Sequence, residues 1–356
     1  MKFTTTAGQL RYILNTARLA TPTNPTLLNY SGNYFYVRDG ILNITGADGE
    51  TFFIAHCKVT DSTDGSLLIN TKNMLKLISA LKSDDIVKLS LESDNDMLSV
   101  LIDGKIYSFR TMVGNFPPAP FPVGESFDVD ISKLKEIIST VKKSANKENS
   151  YAELKIEDGK LQINTTDNYR LSHAIVENSN IRNINGVLSI AVLEKITKFD
   201  IKKLTLDTDG RTILFSSPDV EIITRLLNQK FPDITTFIKN IPSKVVKIER
   251  DVILQALTRL ESLVDNDNTN LNVSIIDNEI KLLVNNADIG SGVEIINSLE
   301  QKHNFSFNIN LIFLKDAFES LDGKNVDIRF ESEHKPIYIL EENNNNIIHI
   351  ISPIKK

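Results

Sequence analysis

Two aspartate pairs, Asp128-Val129-Asp130 and Asp207-Thr208-Asp209, are the first residues with a spacing that could do chemistry. Carboxylates two apart on a strand share a face, an arrangement open to a two-metal site. Each pair lies beside a turn or a domain start, so solvated edge positions account for both. The five histidines, at 56, 173, 303, 334 and 349, show no metal-ligand spacing. His56 and Cys57 are adjacent but have no second pair, and a strand position explains them. No Gly-x4-Gly-Lys-Ser/Thr loop is present, and no Gly-x-Gly-x-x-Gly follows a strand, so nothing cradles a nucleotide phosphate. These residues point away from catalysis, and neither a cofactor nor a metal is expected.

Anion binding is the chemistry that remains. Six helices are expected at 8–18, 71–82, 131–144, 192–199, 250–263 and 311–321, and they hold fourteen Lys and Arg against six Asp and Glu. The whole chain has a net charge of −6. If the helices share one side, that side is basic on an acidic body and attracts a phosphate backbone without reading bases. The candidate phosphate contacts are Arg18, Lys72, Lys76, Lys142, Lys143, Lys147, Lys195 and Lys198. A lysine is a flexible, hydrated point charge suited to a mobile contact. The competing reading is the ordinary polar face of amphipathic helices.

The elements that must position these residues repeat three times. The turn Asp39-Gly40 recurs as Asp158-Gly159 and Asp277-Asn278, a constant step of 119 residues. Phe35, Leu154 and Val273 keep the step, as do Val37, Ile156 and Ile275. Leu42, Leu161 and Ile280 match after the turn, followed by Ile44, Ile163 and Leu282. Apolar residues two apart around a tight turn predict a half-buried hairpin, and three in register predict a tandem array. A helix opens each unit, with stripes Leu10/Ile13/Leu14/Ala17, Leu134/Ile137/Ile138/Val141 and Ile253/Ala256/Leu257/Leu260. Short strands are expected before them at 2–5, 127–129 and 245–248. Further pairs are expected at 87–91 with 98–102, and at 204–206 with 213–216.

The expected fold class is α+β: three tandem similar domains, each with two helices on antiparallel sheet. The proline-dense Phe116–Pro122 reads as an extended linker, and a second boundary lies between Phe231-Pro232 and Ile241-Pro242. The domains are therefore placed at 1–122, 123–243 and 244–356. Asn343–Asn346 reads as a hairpin loop between 337–340 and 347–351. No apolar run approaches membrane length, and the start Met1-Lys2-Phe3-Thr4 lacks a secretory apolar segment. Lone Cys57 excludes an intrachain disulfide, and a cytoplasmic location with no membrane partner is expected.

Six strings, in order, resemble the bacterial-type DNA polymerase III β subunit, the sliding-clamp family. They are Met1-Lys2-Phe3-Thr4, Asn24-Pro25-Thr26-Leu27, and Asp39-Gly40-x-Leu42 with Gly46-Ala47-Asp48-Gly49-Glu50. They continue with Thr166-Asp167-Asn168-Tyr169-Arg170-Leu171-Ser172, Gln229-Lys230-Phe231-Pro232-Asp233 and Ile350-Ile351-Ser352-Pro353-Ile354. The resemblance spans the chain. It implies a non-enzymatic processivity factor with the DNA clamp fold. Each subunit forms half of a ring, and a head-to-tail homodimer encircles double-stranded DNA without sequence preference. Twelve helices about 10 Å across give a lining of roughly 120 Å and a hole of roughly 40 Å, room for a duplex and water.

By the same resemblance, Tyr107 and Phe109 on a strand edge and Leu263 on a helix form the dimer interface. A groove takes short linear peptides from DNA polymerase, clamp loader and repair proteins. It comprises Thr166, Asn168, Tyr169, Arg170, Leu171, Pro232, Phe237, Phe313, Ile350, Ser352, Pro353 and Ile354. Departures from the family pattern are Asn168 for Gly, Asn24 and Thr236 for Arg, Ser352 for a bulky apolar residue, and Leu27-Leu28-Asn29-Tyr30 after the first helix. The tail Lys355-Lys356 is basic. These leave open a specialised clamp from a phage or plasmid, or one for repair or inhibitor resistance, with altered groove specificity. An enzyme such as a nuclease using the aspartate pairs is the third reading.

Overall fold

The computed structural model describes the chain except Thr26, 92–95, 146–149, Asp158, 178–183, Asp209, 302–303 and Lys356. Lys147, Asp158, Asp209 and His303, named above, therefore lie outside the described residues, as do Thr26 and Lys356. Among the described residues seven α-helices form: α1 (Ala7–Arg18), α2 (Lys72–Ser79), α3 (Ile131–Val141), α4 (Ile190–Ile196), α5 (Thr235–Lys239), α6 (Arg250–Leu260) and α7 (Leu311–Glu319). None is long and apolar enough to cross a membrane.

Caps and stripes explain the helix bounds. The Thr6 hydroxyl accepts from Gln9 N and starts α1, and Asn310 Oδ1 accepts from Phe313 N at 3.1 Å and starts α7. The stripes Leu10/Ile13/Leu14/Ala17 and Ile253/Ala256/Leu257/Leu260 are buried as expected. Two helices tighten at their ends: α3 passes into a 3-10 turn at Lys142–Ser144, and α6 into one at Glu261–Leu263. Helix α5 was not anticipated, because its five residues are too few to show a period.

The chain forms two compact units. Unit 1 comprises Met1–Ile131 with Glu194–Leu227, and unit 2 comprises Ser132–Leu193 with Asn228–Lys356. Unit 1 holds a five-stranded antiparallel sheet in the order Thr60–Thr63, Lys2–Thr6, Ile86–Leu91, Met97–Ile102, Lys105–Arg110. Its eight-stranded sheet runs Ser126–Asp128, Lys203–Leu206, Thr212–Ser216, Val220–Arg225, Thr51–Lys58, Ile41–Ala47, Asn33–Arg38, Gly65–Ile69. The pairing of Phe53 with Ile222 at its centre joins segments far apart in sequence.

Unit 2 holds a nine-stranded sheet in the order Ile184–Ser189, Tyr151–Glu157, Lys160–Thr166, Arg170–Glu177, Asn344–Ile351, Ile337–Glu341, Asn325–Phe330, Lys244–Glu249, Glu300–Gln301. Leu171 lies opposite Ile350 where the two halves of that sheet meet. A four-stranded sheet runs Gly290–Asn297, Glu279–Asn286, Asn270–Ile276, Phe305–Asn310. Its inner face and α6 and α7 share one apolar core.

The repeat read from the sequence becomes cross-strand pairing. Phe35 faces Ile44, Leu154 faces Ile163 and Val273 faces Leu282. Val37 faces Leu42, Ile156 faces Leu161 and Ile275 faces Ile280. Asp39 and Gly40 both have positive φ, 50° and 75°, as a two-residue hairpin turn requires.

Beyond the turn, one position meets the C-terminal end of the opening helix in the first two repeats. A Cβ on Gly46 would lie 1.9 Å from the Ala17 carbonyl oxygen, so only glycine fits. At the matching position Thr165 donates its hydroxyl to the Val141 carbonyl at 2.5 Å. In the third, buried Val284 shares a core with Leu260.

One local expectation is corrected. The loop read at Asn343–Asn346 shrinks to Glu342-Asn343, with Asn343 at φ 61°, and Asn344–Asn346 continue the strand. Asparagine tolerates the left-handed conformation, so a two-residue turn suffices despite the polar run.

Candidate functional site

In unit 2 a turn and three further chain segments enclose a cavity of about 220 Å³. The turn Asp167–Tyr169 links the strands Lys160–Thr166 and Arg170–Glu177, and its short polar side chains hold it. Asp167 Oδ1 accepts from Tyr169 N at 3.1 Å and from Arg170 N at 2.9 Å. Thr166 Oγ1 donates to the Arg170 carbonyl at 2.7 Å and accepts from Asn168 N at 3.1 Å. Asn168 sits at φ 74°, the left-handed region where the family pattern has Gly. Tyr169 is left 69% exposed at the rim, and its carbonyl accepts from Ser352 N at 2.8 Å.

The cavity floor is apolar. Leu171, Ile234, Tyr338, Leu340, Ile348 and Ile350 form a cluster that Phe231, Ile238 and Ile241 pack against. Helix α5 brings Phe237 to the wall, 42% exposed, and the Tyr338 hydroxyl donates to the Phe237 carbonyl at 3.2 Å. Asp233 Oδ1 accepts from Thr235 N at 2.9 Å at the start of that turn of helix. An open apolar hollow with a few fixed polar groups has the make-up of a pocket for a ligand's apolar anchors.

The structure brings Thr166, Asn168, Tyr169, Arg170, Leu171, Pro232, Phe237, Ile350 and Ser352 to this cavity. Phe313, Pro353 and Ile354 do not line it. Phe313 sits one layer away, with the Arg170 guanidinium 4.0 Å above its ring. Ile354 donates its N–H to the Asn308 carbonyl at 2.8 Å. Asp233, Ile234 and Pro336 also line the cavity and were missed. Asp233 ends a string already singled out and Ile234 adjoins it, whereas Pro336 carries no local signal.

Behind the cavity lies a buried polar chain. Ser144 Oγ and Ser172 Oγ are 2.5 Å apart, and Ser172 Oγ is 2.6 Å from His349 Nδ1. Burial, reinforced by the charges of Arg170 and Lys143, pushes His349 down to about 3. Burial pushes His173, 2.6 Å from Asn164 Oδ1, down to about 4. Both rings are neutral structural groups at pH 7.

The basic residues fall into distinct settings. Lys72, Lys76 and Lys198 are exposed and Arg18 is half-buried, all in unit 1. Lys195 Nζ donates to the Leu19 carbonyl at 2.7 Å, satisfying the end of α1. In unit 2 Lys142 is exposed, while Lys143 pairs with Glu319 and lies 3.6 Å from Asp316 Oδ1. That lysine holds the Glu319 carboxyl below the usual carboxylate range.

Tyr107 and Phe109 lie on Lys105–Arg110, an edge strand of unit 1, with Tyr107 exposed and Phe109 half-buried. Leu263 is half-buried in unit 2, its Cδ1 2.5 Å from where a Cβ on Gly292 would sit, beside the edge strand Gly290–Asn297.

No group of three or more His, Cys, Asp or Glu side chains able to hold a metal occurs among the described residues. Burial pushes the Cys57 thiol up to about 11, far from a reactive thiolate.

Comparison with known proteins agrees with this architecture. Residues 1–115 match the DNA polymerase III β subunit N-terminal domain, and residues 238–355 match its C-terminal domain. The β sliding clamp of Staphylococcus aureus is 21% identical, over 100% of this chain and 99% of its own. That of Rickettsia bellii is 21% identical, over 89% of this chain and 90% of its own. The crystal structure of the DNA polymerase III β subunit from Pseudomonas aeruginosa superposes with a TM-score of 0.93 at 17% identity, covering 100% of both chains. The chain belongs to the DNA polymerase III β-subunit family, the sliding clamps.

Proposed function

We propose that this clamp is a homodimeric ring that encircles duplex DNA and tethers replication and repair proteins by short peptides. It catalyses nothing: processivity comes from raising the local concentration of a tethered polymerase. The observation that carries the reading is the cavity of unit 2. It gathers sequence-distant residues around an apolar floor of the size that takes a peptide's hydrophobic anchors. The domains are proposed at 1–122, 123–243 and 244–356, supported by the threefold hairpin register.

Ring closure is supported by two unpaired strand edges, Lys105–Arg110 and Gly290–Asn297. The first exposes Ile106 and Tyr107, and the second Val293 and Ile295. Backbone pairing of one edge with the other on a second copy is head-to-tail and buries both apolar rows, with Leu263 beside the seam. The basic residues Arg18, Lys72, Lys76, Lys142, Lys143, Lys147, Lys195 and Lys198 are proposed to face the duplex. They hold it through phosphates, not bases. The proposed location is the cytoplasm.

A clamp with altered groove specificity is the second reading. Ser352 lines the cavity with a small polar side chain where the family pattern is bulky and apolar, so a different anchor is preferred there.

The test is retention on DNA. Loaded on a nicked circle, the protein stays bound in high salt and is lost when the circle is linearised. Loss on adding salt alone, or a stable monomer at micromolar concentration, overturns the ring.

A further inference from the structure

Asp316, on α7, stands between the cavity and the basic residues. Its Oδ2 accepts from Arg170 NH1 at 2.7 Å, and its Oδ1 lies 3.6 Å from Lys143 Nζ. Arg170 is a cavity residue, and its guanidinium is fixed on three sides. Asp167 Oδ2 takes its Nε at 2.9 Å, Asp316 takes NH1, and the Phe313 ring lies beneath at 4.0 Å. Lys143 also pairs with Glu319, which in turn lies 3.3 Å from Lys315 Nζ. A line of alternating charge thus runs from the cavity wall to a lysine placed among the phosphate contacts. The side chains of Arg170 and Asp316 are 10% and 23% exposed, so solvent screens this part of the line only weakly.

We infer that Asp316 is a positioning residue that couples peptide binding in the cavity to phosphate binding at Lys143. One carboxylate is shared by two cations. A phosphate that draws Lys143 away leaves the full charge of Asp316 to Arg170 and fixes the guanidinium, and with it the cavity wall, more tightly. By linkage, a peptide that orders Arg170 favours release of Lys143 to phosphate by the same factor. The inference rests on the proposed DNA and peptide binding and adds a dependence between them.

The test measures anisotropy of a fluorescein-labelled hydrophobic peptide ending in Leu-Phe, with and without a short linear duplex at low salt. In the wild-type protein the duplex tightens peptide binding about threefold. Asp316→Asn weakens the peptide and abolishes the response to duplex, and Asp316→Glu restores part of the response. Lys143→Met, which does not depend on the fold of the Asp316 variant, binds the peptide at least as tightly as wild type and ignores the duplex. A wild-type affinity unchanged by duplex, while both ligands bind, overturns the coupling and leaves the clamp reading standing. A duplex response that survives in both variants overturns it as well. Absence of any peptide or duplex binding overturns both readings.

Discussion

Arg11 and Lys195 in unit 1 and Lys143 and Lys315 in unit 2 settle their charges in opposite ways. In unit 1, Arg11 reaches across to the end of α2 and donates to the Ile78 and Leu81 carbonyls at 3.0 and 2.6 Å, and Lys195 donates to Leu19. Helices α1 and α2 contain no acidic residue. In unit 2, Arg250 donates both to the Phe318 carbonyl at 3.0 Å and to Asp251 Oδ1 at 3.1 Å, and Lys143 and Lys315 end on Glu319, Asp316 and Glu261. A carbonyl satisfies a cation's hydrogen bonds and leaves its charge uncancelled, whereas a carboxylate cancels it. Helices α1 and α2 therefore keep their positive charge, whereas Lys143 and Lys315 in unit 2 are largely neutralised by α7 and the end of α6. Lysine count alone is a poor guide to phosphate attraction.

The sharpest break of this comparison is steric and confined to unit 1. Gly46→Val forces the end of α1 off its sheet and lowers unfolding free energy by about 3 kcal/mol, read by urea denaturation. Unit 1 then unfolds first in hydrogen exchange, while unit 2 keeps its protection.

Acid reverses that order. Folded His349 stays neutral to about 3 and His173 to about 4, while in the unfolded chain both bind protons below their usual value of 6.5. The unfolded state then carries more protons, so stability from these groups is intact above that value and falls as pH drops towards the folded values. His349 alone costs unit 2 roughly 2 kcal/mol by pH 5. His349→Phe flattens this dependence, checked by exchange at two pH values.

Charge is the next lever. Lys72→Glu with Lys76→Glu weakens duplex binding about tenfold at moderate salt and reduces the salt slope. An equal loss from Lys143→Glu would erase the contrast drawn here. The smallest effect has the opposite sign: Glu319→Gln leaves Lys143 with Asp316 alone and strengthens duplex binding about twofold. Titration against salt resolves it.

Much of this was legible in the sequence because it is local. The step of 119 residues marked the three hairpins, in which the matched positions pair as Phe35 with Ile44 and Val273 with Leu282. Helix stripes were readable because their period is set within a few turns. The pairing of Thr51–Lys58 with Val220–Arg225 was not readable, since each strand satisfies its own alternation whatever its neighbour. The cavity was legible where it coincided with family strings, and Pro336, reached only through the fold, was not. Lys143 was visible as a charge, but its partners Asp316 and Glu319 come from a helix more than 170 residues later. Whether a lysine is spent on a carboxylate is a tertiary fact.

The joint between opening helix and hairpin differs between the first two repeats: bare backbone at Gly46 and a hydroxyl at Thr165. The repeats look like copies, yet they are no longer spare parts for one another. Transplanting the second hairpin under the first helix would jam the seam with Thr165, and the reverse graft would leave the Val141 carbonyl without its hydroxyl. A difference at a single position is enough to make one hairpin a poor substitute for another.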